Sequence, residues 1–324
     1  MSATLLGLGI VAPGAPDCAA LEQVLAAPGS LVAPHVDAIP DGGDPKTRRL
    51  PRLERMALAA ARQALAGSTD GEGLALVFGT GYGGLTATVD FLEGMASRGA
   101  AFGSPTAFHQ SVHHSPAGQL SIALGLRGAS LTVSARELSG ETSLQVALDL
   151  LATGRARRVL VVAADERTPA LEAAYRAFAS ASSGASLQAG EGAAALLLGT
   201  EQGPLRLESL TLSAHPCPPL RFARAEQFTP LLRRELAAAG PGAVLSPAAM
   251  SPGLADAEGA VLESLAPGQA RWQDAARFGF HPSAGLMRLV AAALRLRTQP
   301  PGARCLLHGL ALGGGQALVR LRHG

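Results

Sequence analysis

Strand-length segments made almost wholly of apolar residues constrain the fold of this chain most strongly. Arg158–Ala164 reads Arg-Val-Leu-Val-Val-Ala-Ala, and Ala193–Gly199 is of the same kind. Apolar runs of this length without alternation indicate strands that are covered on both faces. Ala- and Leu-rich segments with helical periodicity, such as Arg55–Ala66 and Glu141–Ala152, lie between the strands. The alternation predicts an α/β fold with helices layered on apolar sheets.

The alternation of strands and helices occurs twice along the chain. A second series begins near residue 200 with the strand Leu205–Leu212 and includes the long apolar helix Ala284–Leu296. We expect an N-terminal half, residues 1–200, and a shortened C-terminal half, residues 201–324, that together form one structural unit. The other predicted strands are Thr4–Val11, Leu74–Phe78, Ser130–Ser134, Ala243–Ser246, Cys305–His308 and Ala317–Arg322, and the other predicted helices are Leu85–Ser97, Ala117–Leu124 and Phe228–Ala239.

Charge and cysteine content exclude several classes of function. The formal net charge is +2 and no basic block occurs, which argues against a nucleic-acid partner. No apolar run approaches the ~18 residues that a membrane span needs. The cysteines Cys18, Cys217 and Cys305 are far apart and form no CxxC motif, so neither a disulfide framework nor a zinc site is indicated. We expect a cytoplasmic protein without a cofactor or metal.

Two short motifs invite a binding function that their context does not favour. Gly79–Gly84 fits GxGxxG, but no acidic residue ends a strand about 20 residues further on, where a ribose would be held. Tight turns that let backbones pack closely are the preferred interpretation. The segment from His109 to His114 contains three imidazoles, bracketed by Pro105 and Pro116 as a loop. We interpret it as a polar loop at an interface or pocket mouth rather than a metal site.

Ser130–Leu144 reads as a short strand, a tight turn and the start of an apolar helix, with Glu137 at the turn. Read with other segments, it resembles the β-ketoacyl synthase family of the thiolase fold along nearly the whole chain. The resemblance implies two pseudo-repeated α/β halves in a layered α-β-α-β-α arrangement. Gly140-Glu-Thr142 resembles a shortened branch found beside true synthases in polyene-type gene clusters. The segments that carry the resemblance are Leu6–Gly14, Val77–Gly84, Ser104–Gly118, Leu124–Ala129 and Gly309–Gln316.

Residues that condensing enzymes of this family require are altered here. The nucleophilic Cys maps onto Glu137. The first catalytic His, counted back from Asp256, maps onto Ala248, whereas the second maps onto His281 and is retained. The family's lysine maps onto Ala276, and its gatekeeping Phe maps onto Leu312.

The chemistry of Glu137 differs from that of a thiol. The field at a helix N-terminus is expected to favour an ionised carboxylate, which is a poor nucleophile toward a thioester. We expect this carboxylate to accept hydrogen bonds from the first free N–H groups of the following helix. Without a nucleophile beside it, His281 is interpreted as a satisfied buried histidine.

The resemblance therefore implies a ketosynthase-like subunit that is not catalytic on its own, within a β-ketoacyl synthase (acyltransferase) complex. Such a chain-length factor of type II polyketide biosynthesis forms a heterodimer with an active ketosynthase subunit that works on an acyl carrier protein. Family relatives dimerise through the strand that precedes the nucleophile. The residues thereby implied at the interface and tunnel wall are Phe108, Gln110, His113, His114, Ser130, Leu131, Thr132, Val133 and Ser134.

Two other functions remain open at this point. Relatives with Gln in place of Cys only decarboxylate malonyl-carrier protein, and a protonated Glu137 could imitate that Gln, although Ala248 argues against it. Alternatively, the chain is a stand-alone scaffold that binds a carrier protein without any synthase.

Overall fold

The computed structural model describes residues 2–27, 35–43, 45, 47–66, 73–181, 187–248 and 252–324. The strands are β1 (Ala3–Val11), β2 (Ala75–Gly79), β3 (Ser130–Val133), β4 (Arg158–Asp165), β5 (Gly192–Gly199), β6 (Leu205–Ala214), β7 (Val244–Ser246), β8 (Arg304–Leu310) and β9 (Gly315–His323). The helices are α1 (Cys18–Ala26), α2 (Arg52–Ala64), α3 (Leu85–Arg98), α4 (Pro105–Ser111), α5 (Ser115–Leu124), α6 (Ser139–Ala152), α7 (Pro169–Ala181), α8 (Ala225–Ala239), α9 (Pro252–Leu265), α10 (Ala275–Phe278) and α11 (Ala284–Arg297).

The strands form one sheet in the order β3-β2-β4-β5-β1-β6-β9-β8-β7. Strands β3, β2 and β4 run parallel, and β5 and β1 are antiparallel to their neighbours. Strands of the first and second series meet where β1 pairs with β6, at Ala3 opposite Leu207 and Thr4 opposite Arg206. The apolar runs thus form the centre of the sheet, as their composition requires.

Helices pack on both faces of this sheet and between its two parts. Helices α2 and α5 cover β1, β2, β4 and β5 from outside. Helices α6 and α11 lie between those strands and the second set, β6, β8 and β9, in the largest apolar cluster. Helices α8 and α9 cover the second set from its other side. The resulting order of layers is α-β-α-β-α, which confirms the predicted thiolase-like architecture.

The segment bracketed by Pro105 and Pro116 is not the loop that its prolines suggested. Pro105 is the first residue of α4, and Pro116 lies in the first turn of α5. Proline is favoured at such positions because the N–H it lacks would have no partner in the helix. The side chain of Ser104 accepts a hydrogen bond from Ala107 N at 3.3 Å and caps α4. The prolines therefore begin two helices.

The two edges of the sheet differ. Strand β7 is flanked by an extended segment: Leu245 N donates to Ala270 O at 2.9 Å, and Trp272 N donates to Leu245 O at 2.7 Å. Strand β3 pairs with β2 on one side and, within the described part of the chain, with no strand on the other. The sheet thus has one covered and one open edge.

No helix among the residues described above is long and apolar enough to cross a membrane.

Candidate functional site

The strand-turn-helix predicted around Glu137 is present. Arg136 has φ of 53° and is the one non-glycine residue with a positive φ in the described ranges. Such a conformation is unfavourable for a residue with a side chain and needs support. Ser139 supplies it: its Oγ donates to Arg136 O at 2.6 Å and accepts from Ala135 N at 3.0 Å. The sharp turn directs Glu137 into the protein between β3 and α6.

The side chain of Glu137 is buried and contacts the end of the chain. Only 4% of the residue is exposed. Its Oε2 accepts a hydrogen bond from the backbone N–H of Leu312 at 3.1 Å. Leu312, at the predicted gate position, lies in the loop between β8 and β9. The turn that carries Glu137 and this closing loop therefore form one site.

The expectation that Glu137 caps the following helix is wrong, and its pKa is not lowered. The residue that caps α6 is Leu138, without a side-chain hydrogen bond, so Glu137 does not cap the helix. Burial raises the pKa of Glu137 above its ordinary value, and the hydrogen bonds from its own N–H and from Leu312 and the charge of Arg136 do not reverse this. Loss of hydration outweighs the favourable field of the helix, since a buried carboxylate is costly. The carboxyl of Glu137 therefore binds a proton more readily than an exposed glutamate does.

The closing loop is also held from its outer side. Gly313 N donates to Arg221 O at 2.7 Å, and His215 N donates to Gly314 O at 2.9 Å. Together with the contact between Leu312 and Glu137, these hydrogen bonds fix three consecutive residues of the loop. The loop is thereby attached both to the turn at Glu137 and to residues 215–221.

His281 is fully buried, and only one of its two ring nitrogens has a hydrogen-bond partner among the described residues. Its Nδ1 is 2.9 Å from Ser283 Oγ, whereas its Nε2 has no hydrogen-bond partner among the described residues. Burial lowers the pKa of His281 to about 3, so the imidazole is neutral at physiological pH. A neutral imidazole can polarise a carbonyl only weakly compared with a cation. The interpretation as a fully satisfied histidine is therefore incomplete.

Ala248 and Ala276, the positions predicted to correspond to the family's first His and its Lys, lie in different surroundings. Ala248 is fully buried, and its N–H donates to Glu258 Oε1 at 2.9 Å. Glu258 Oε1 also lies 2.6 Å from His308 Nδ1. Ala276 is exposed and lines a cavity of about 220 Å³. Residues 249–251, the end of the segment in which Ala248 was placed, lie outside the described residues.

Aromatic side chains fill the space beside the site. The hydroxyls of Tyr82 and Tyr175, the two tyrosines of the chain, are 3.0 Å apart. Tyr175 packs edge-on against Phe280 with ring centroids 5.2 Å apart. Leu312 belongs to the same apolar cluster, and burial raises the pKa of both tyrosines. The site is thus packed with large side chains.

Asp165 is a site residue that the sequence analysis missed. Its Oδ1 accepts hydrogen bonds from Thr80 Oγ1 at 2.8 Å, Gly81 N at 3.0 Å and Tyr82 N at 3.1 Å. Burial raises its pKa to about 7. An acidic residue directly after an apolar strand was the available signal. Asp165 fixes the glycine turn, and a Cβ at Gly81 would collide with Pro282, next to His281.

A buried carboxyl group and a buried guanidinium group lie deeper in the protein. The carboxyl of Glu141 packs against the α-carbons of Gly285 and Gly309, and burial raises its pKa to about 7. Arg288 is also buried, and its Nη2 donates to Ser246 O at 2.8 Å, Pro247 O at 2.7 Å and His308 O at 2.8 Å. Arg288 thus joins β7 to β8, and Glu141 packs against α11 and β8.

The residues predicted at an interface lie on the surface around the open edge. Phe108, His113 and His114 are exposed, and Gln110 is half-buried. Ser130, Leu131 and Ser134 are exposed, whereas Thr132 and Val133 are half-buried. No group of three or more His, Cys, Asp or Glu side chains in the described ranges could hold a metal ion. The interface role of these residues remains a prediction.

Chemically, the site contains the buried carboxyl group of Glu137 and the neutral imidazole of His281, but its turn carries no thiol. A buried carboxyl group that already accepts a backbone N–H is a weak nucleophile.

Comparison with known proteins identifies the family. The model of the β-ketoacyl synthase N-terminal domain matches residues 20–219. No curated protein matches the chain by sequence.

Solved structures share the fold at low identity. The ishigamide ketosynthase/chain length factor has a TM-score of 0.84 at 21% identity, over 100% of this chain and 99% of that one. A type II polyketide synthase acyl-carrier protein in complex with its ketosynthase contains a chain with a TM-score of 0.80 at 16% identity, covering 100% and 99%. A ketosynthase in complex with its chain length factor from Xenorhabdus doucetiae has a TM-score of 0.75 at 18% identity, over 100% of this chain and 98% of that one. The chain belongs to the β-ketoacyl synthase family.

Proposed function

We propose that this protein is a non-catalytic, chain-length-factor-like subunit that pairs with an active β-ketoacyl-carrier-protein synthase in type II polyketide or fatty-acid-type biosynthesis. The observation that carries the proposal is the buried carboxyl of Glu137, hydrogen-bonded to Leu312 at the position where the family holds its nucleophile. The partner supplies the Cys and meets the acyl carrier protein. The cytoplasmic location and the boundary between residues 200 and 201 belong to the same proposal.

The open edge of the sheet supports pairing. An exposed strand edge offers free N–H and C=O groups to another chain. The six large apolar side chains that are exposed in the described residues include five that lie near β3 in sequence, from α3 to β3 itself: Leu92, Phe102, Phe108, Ile122 and Leu131. Of these, Leu131 lies in β3 itself and Ile122 lies in α5, which contacts β3. Exposed apolar residues beside an unpaired edge are typical of an interface between chains.

The relatives support the same assignment of roles. One neighbour is described as a ketosynthase in complex with its chain length factor. Another complex contains an acyl-carrier protein. In this proposal Phe108, Gln110, His113 and His114 contribute to the tunnel wall from across the interface.

Co-expression with an active β-ketoacyl-carrier-protein synthase of a type II system tests the proposal. We expect a one-to-one complex by mass, and condensation by the synthase only in the presence of this chain. Leu131→Asp should abolish pairing because it places a charge on the open edge. Leu220→Asp changes a leucine that is 57% exposed elsewhere and should leave pairing intact. A stable monomer or homodimer that ignores the synthase would overturn the proposal, and capture of the carrier protein alone would favour a scaffold.

A second function has one observation in its favour. Burial raises the pKa of Glu137 above its ordinary value, and a protonated Glu137 would resemble the amide of relatives that decarboxylate malonyl-carrier protein. Release of carbon dioxide from malonyl-carrier protein would reveal this activity. It must then fall in Glu137→Ala; release that does not depend on Glu137 would leave the residue without a catalytic role.

A further inference from the structure

A cavity of about 220 Å³ lies between α9 and α10, and the described residues that line it do not include Glu137 or Leu312. On its α9 side the cavity is lined by Ala255, Gly259 and Leu262. Residues at this spacing share one face of a helix. Apart from its own helix, no atom of the described residues lies within 4 Å of a Cβ placed on Gly259. This face of α9 therefore leaves open space.

Small side chains also leave space on the opposite side of the cavity. Ala275 of α10 is buried, whereas Ala276 and Gln273 are exposed, so the cavity opens to solvent beside these two residues. Atoms that line an empty cavity lack contacts on one side, and a ligand that fills the cavity restores them. An apolar cavity of about 150 Å³ holds benzene, so this one has room for a chain of about six carbon atoms.

Arg271 is the only charged residue among the described residues that line the cavity. Its Nη2 donates to Glu263 Oε2 at 2.7 Å, but the side chain of Glu263 is 63% exposed. The Nε of Arg271 is buried and has no hydrogen-bond partner among the described residues. A buried donor without an acceptor is costly, and the cost is larger for a charged group. The guanidinium group of Arg271 can therefore donate a buried N–H to an anionic ligand.

The backbone of Arg271 is held against the sheet on both sides. Leu245 N of β7 donates to Ala270 O at 2.9 Å, and Trp272 N donates to Leu245 O at 2.7 Å. Arg271 itself lies opposite Leu245 in this pairing. A binding group that is already fixed loses less conformational freedom when a ligand binds. The charged group of the cavity is thus positioned before any ligand arrives.

We propose that this cavity binds a small monocarboxylate with a short unbranched alkyl chain, whose carboxylate accepts from Arg271 and whose chain lies along α9. Guanidinium and carboxylate groups match in charge and in hydrogen-bond geometry. A dianion fits less well, because its second charge would lie against an apolar wall without a partner. The ligand class is therefore short-chain fatty acids. This inference goes beyond the proposed function and does not depend on it.

Calorimetric titration of the full chain with hexanoate tests the proposal. We expect hexanoate to bind with a dissociation constant of about 1 mM or lower. Two ligands of similar size are the controls: hexanamide lacks the charge, and succinate carries two charges. Each control should bind at least about tenfold more weakly than hexanoate, because hydrogen bonds between charged groups are the stronger ones.

Variants of the cavity locate the binding site. Gly259→Leu should abolish hexanoate binding, because the new side chain enters the open space, and leucine is compatible with a helix. Arg271→Gln removes the charge and should weaken binding at least about tenfold. Glu263→Gln removes a competing carboxylate and should strengthen binding. The control is Arg48→Gln, which breaks an ion pair of the same 2.7 Å length, with Asp41, and should leave binding unchanged.

Three results would overturn the proposal. Hexanoate at about 10 mM could give no heat of binding. Hexanamide or succinate could bind as tightly as hexanoate, which would exclude the role of Arg271. Binding could also survive in both Gly259→Leu and Arg271→Gln, which would place it elsewhere on the chain. If Arg271→Gln does not fold, the three ligands and Gly259→Leu decide the point, and none of these results bears on pairing with a synthase.

Discussion

Glu137 Oε2 accepts a hydrogen bond from Leu312 N at 3.1 Å, between residues 175 positions apart in the chain. The contact joins the turn after β3 to the loop before β9, so this side chain links two segments that are distant in the sequence. A buried N–H without an acceptor lowers the free energy of unfolding. Removing the carboxyl of Glu137 should therefore have a measurable effect on stability.

Glu137→Ala is expected to lower the free energy of unfolding by about 1–3 kcal/mol, since Leu312 N–H loses its acceptor. Glu137→Gln keeps a carbonyl oxygen there and should cost less than about 1 kcal/mol. Denaturant unfolding at pH 6 measures both. Hydrogen exchange at Leu312 N–H should accelerate in Glu137→Ala and not in Glu137→Gln; equal exchange in the two variants would contradict the link.

The burial of Glu54 predicts that the free energy of unfolding depends on pH. It is fully buried on α2, and neither carboxyl oxygen has a hydrogen-bond partner among the described residues. Burial raises its pKa from 4.5 to about 7. The folded state therefore binds a proton more tightly than the unfolded state, and the stability gained at low pH is lost as the pH rises from 4.5 through 7.

Glu54→Gln should remove this loss. The variant is expected to be more stable than the wild type by about 3 kcal/mol above pH 8, with the difference shrinking toward pH 5. Glu22→Gln changes an exposed glutamate on α1 and is the control. Unfolding curves at several pH values decide the point; a difference that is constant with pH would show that Glu54 does not titrate as stated.

Gly285→Ala tests the contact between α11 and Glu141. A Cβ at Gly285 would collide with the buried carboxyl of Glu141, and such overpacking costs typically about 1–3 kcal/mol. Gly259→Ala on α9 is the matched control: no atom lies within 4 Å of its Cβ, and helix propensity predicts a gain of up to about 1 kcal/mol. In a double-mutant cycle, Glu141→Ala should relieve part of the cost of Gly285→Ala. Additive effects would indicate that the two sites do not touch.

Tyr82 and Tyr175 should be energetically coupled. Either substitution by Phe leaves one buried hydroxyl without its partner 3.0 Å away. We expect each single variant to lose about 1–2 kcal/mol and the double variant to lose less than the sum, by about 1 kcal/mol. Thermal unfolding of the four proteins in the cycle provides the coupling energy.

The strands of the core could be predicted from sequence because a buried strand must be apolar along its length. Arg158–Ala164 and Ala193–Gly199 differ from β4 and β5 by one residue at one end. Helix α4 could not be predicted in this way, because it begins at Pro105 and proline is also typical of loops. The segments of α1, α7 and α9 were also not predicted as helices.

The turn that carries Glu137 could be predicted from the sequence, but its contacts could not. That Glu137 stands where the family has its nucleophile stays a prediction from the resemblance. Its acceptor role toward Leu312 depends on how two distant segments pack, and its raised pKa depends on burial, which no local pattern reports. Asp165 was missed for the same reason: the sequence alone does not show whether an acidic residue is buried.

The contrast between the two sheet edges limits how many chains can assemble. A sheet with two free edges can add strands without end, as fibrils do. Here the segment through Ala270 and Trp272 covers β7, so among the described residues β3 is the edge at which a strand could be added. A second chain that occupied β3 would leave neither edge free, which would limit the proposed assembly to two chains.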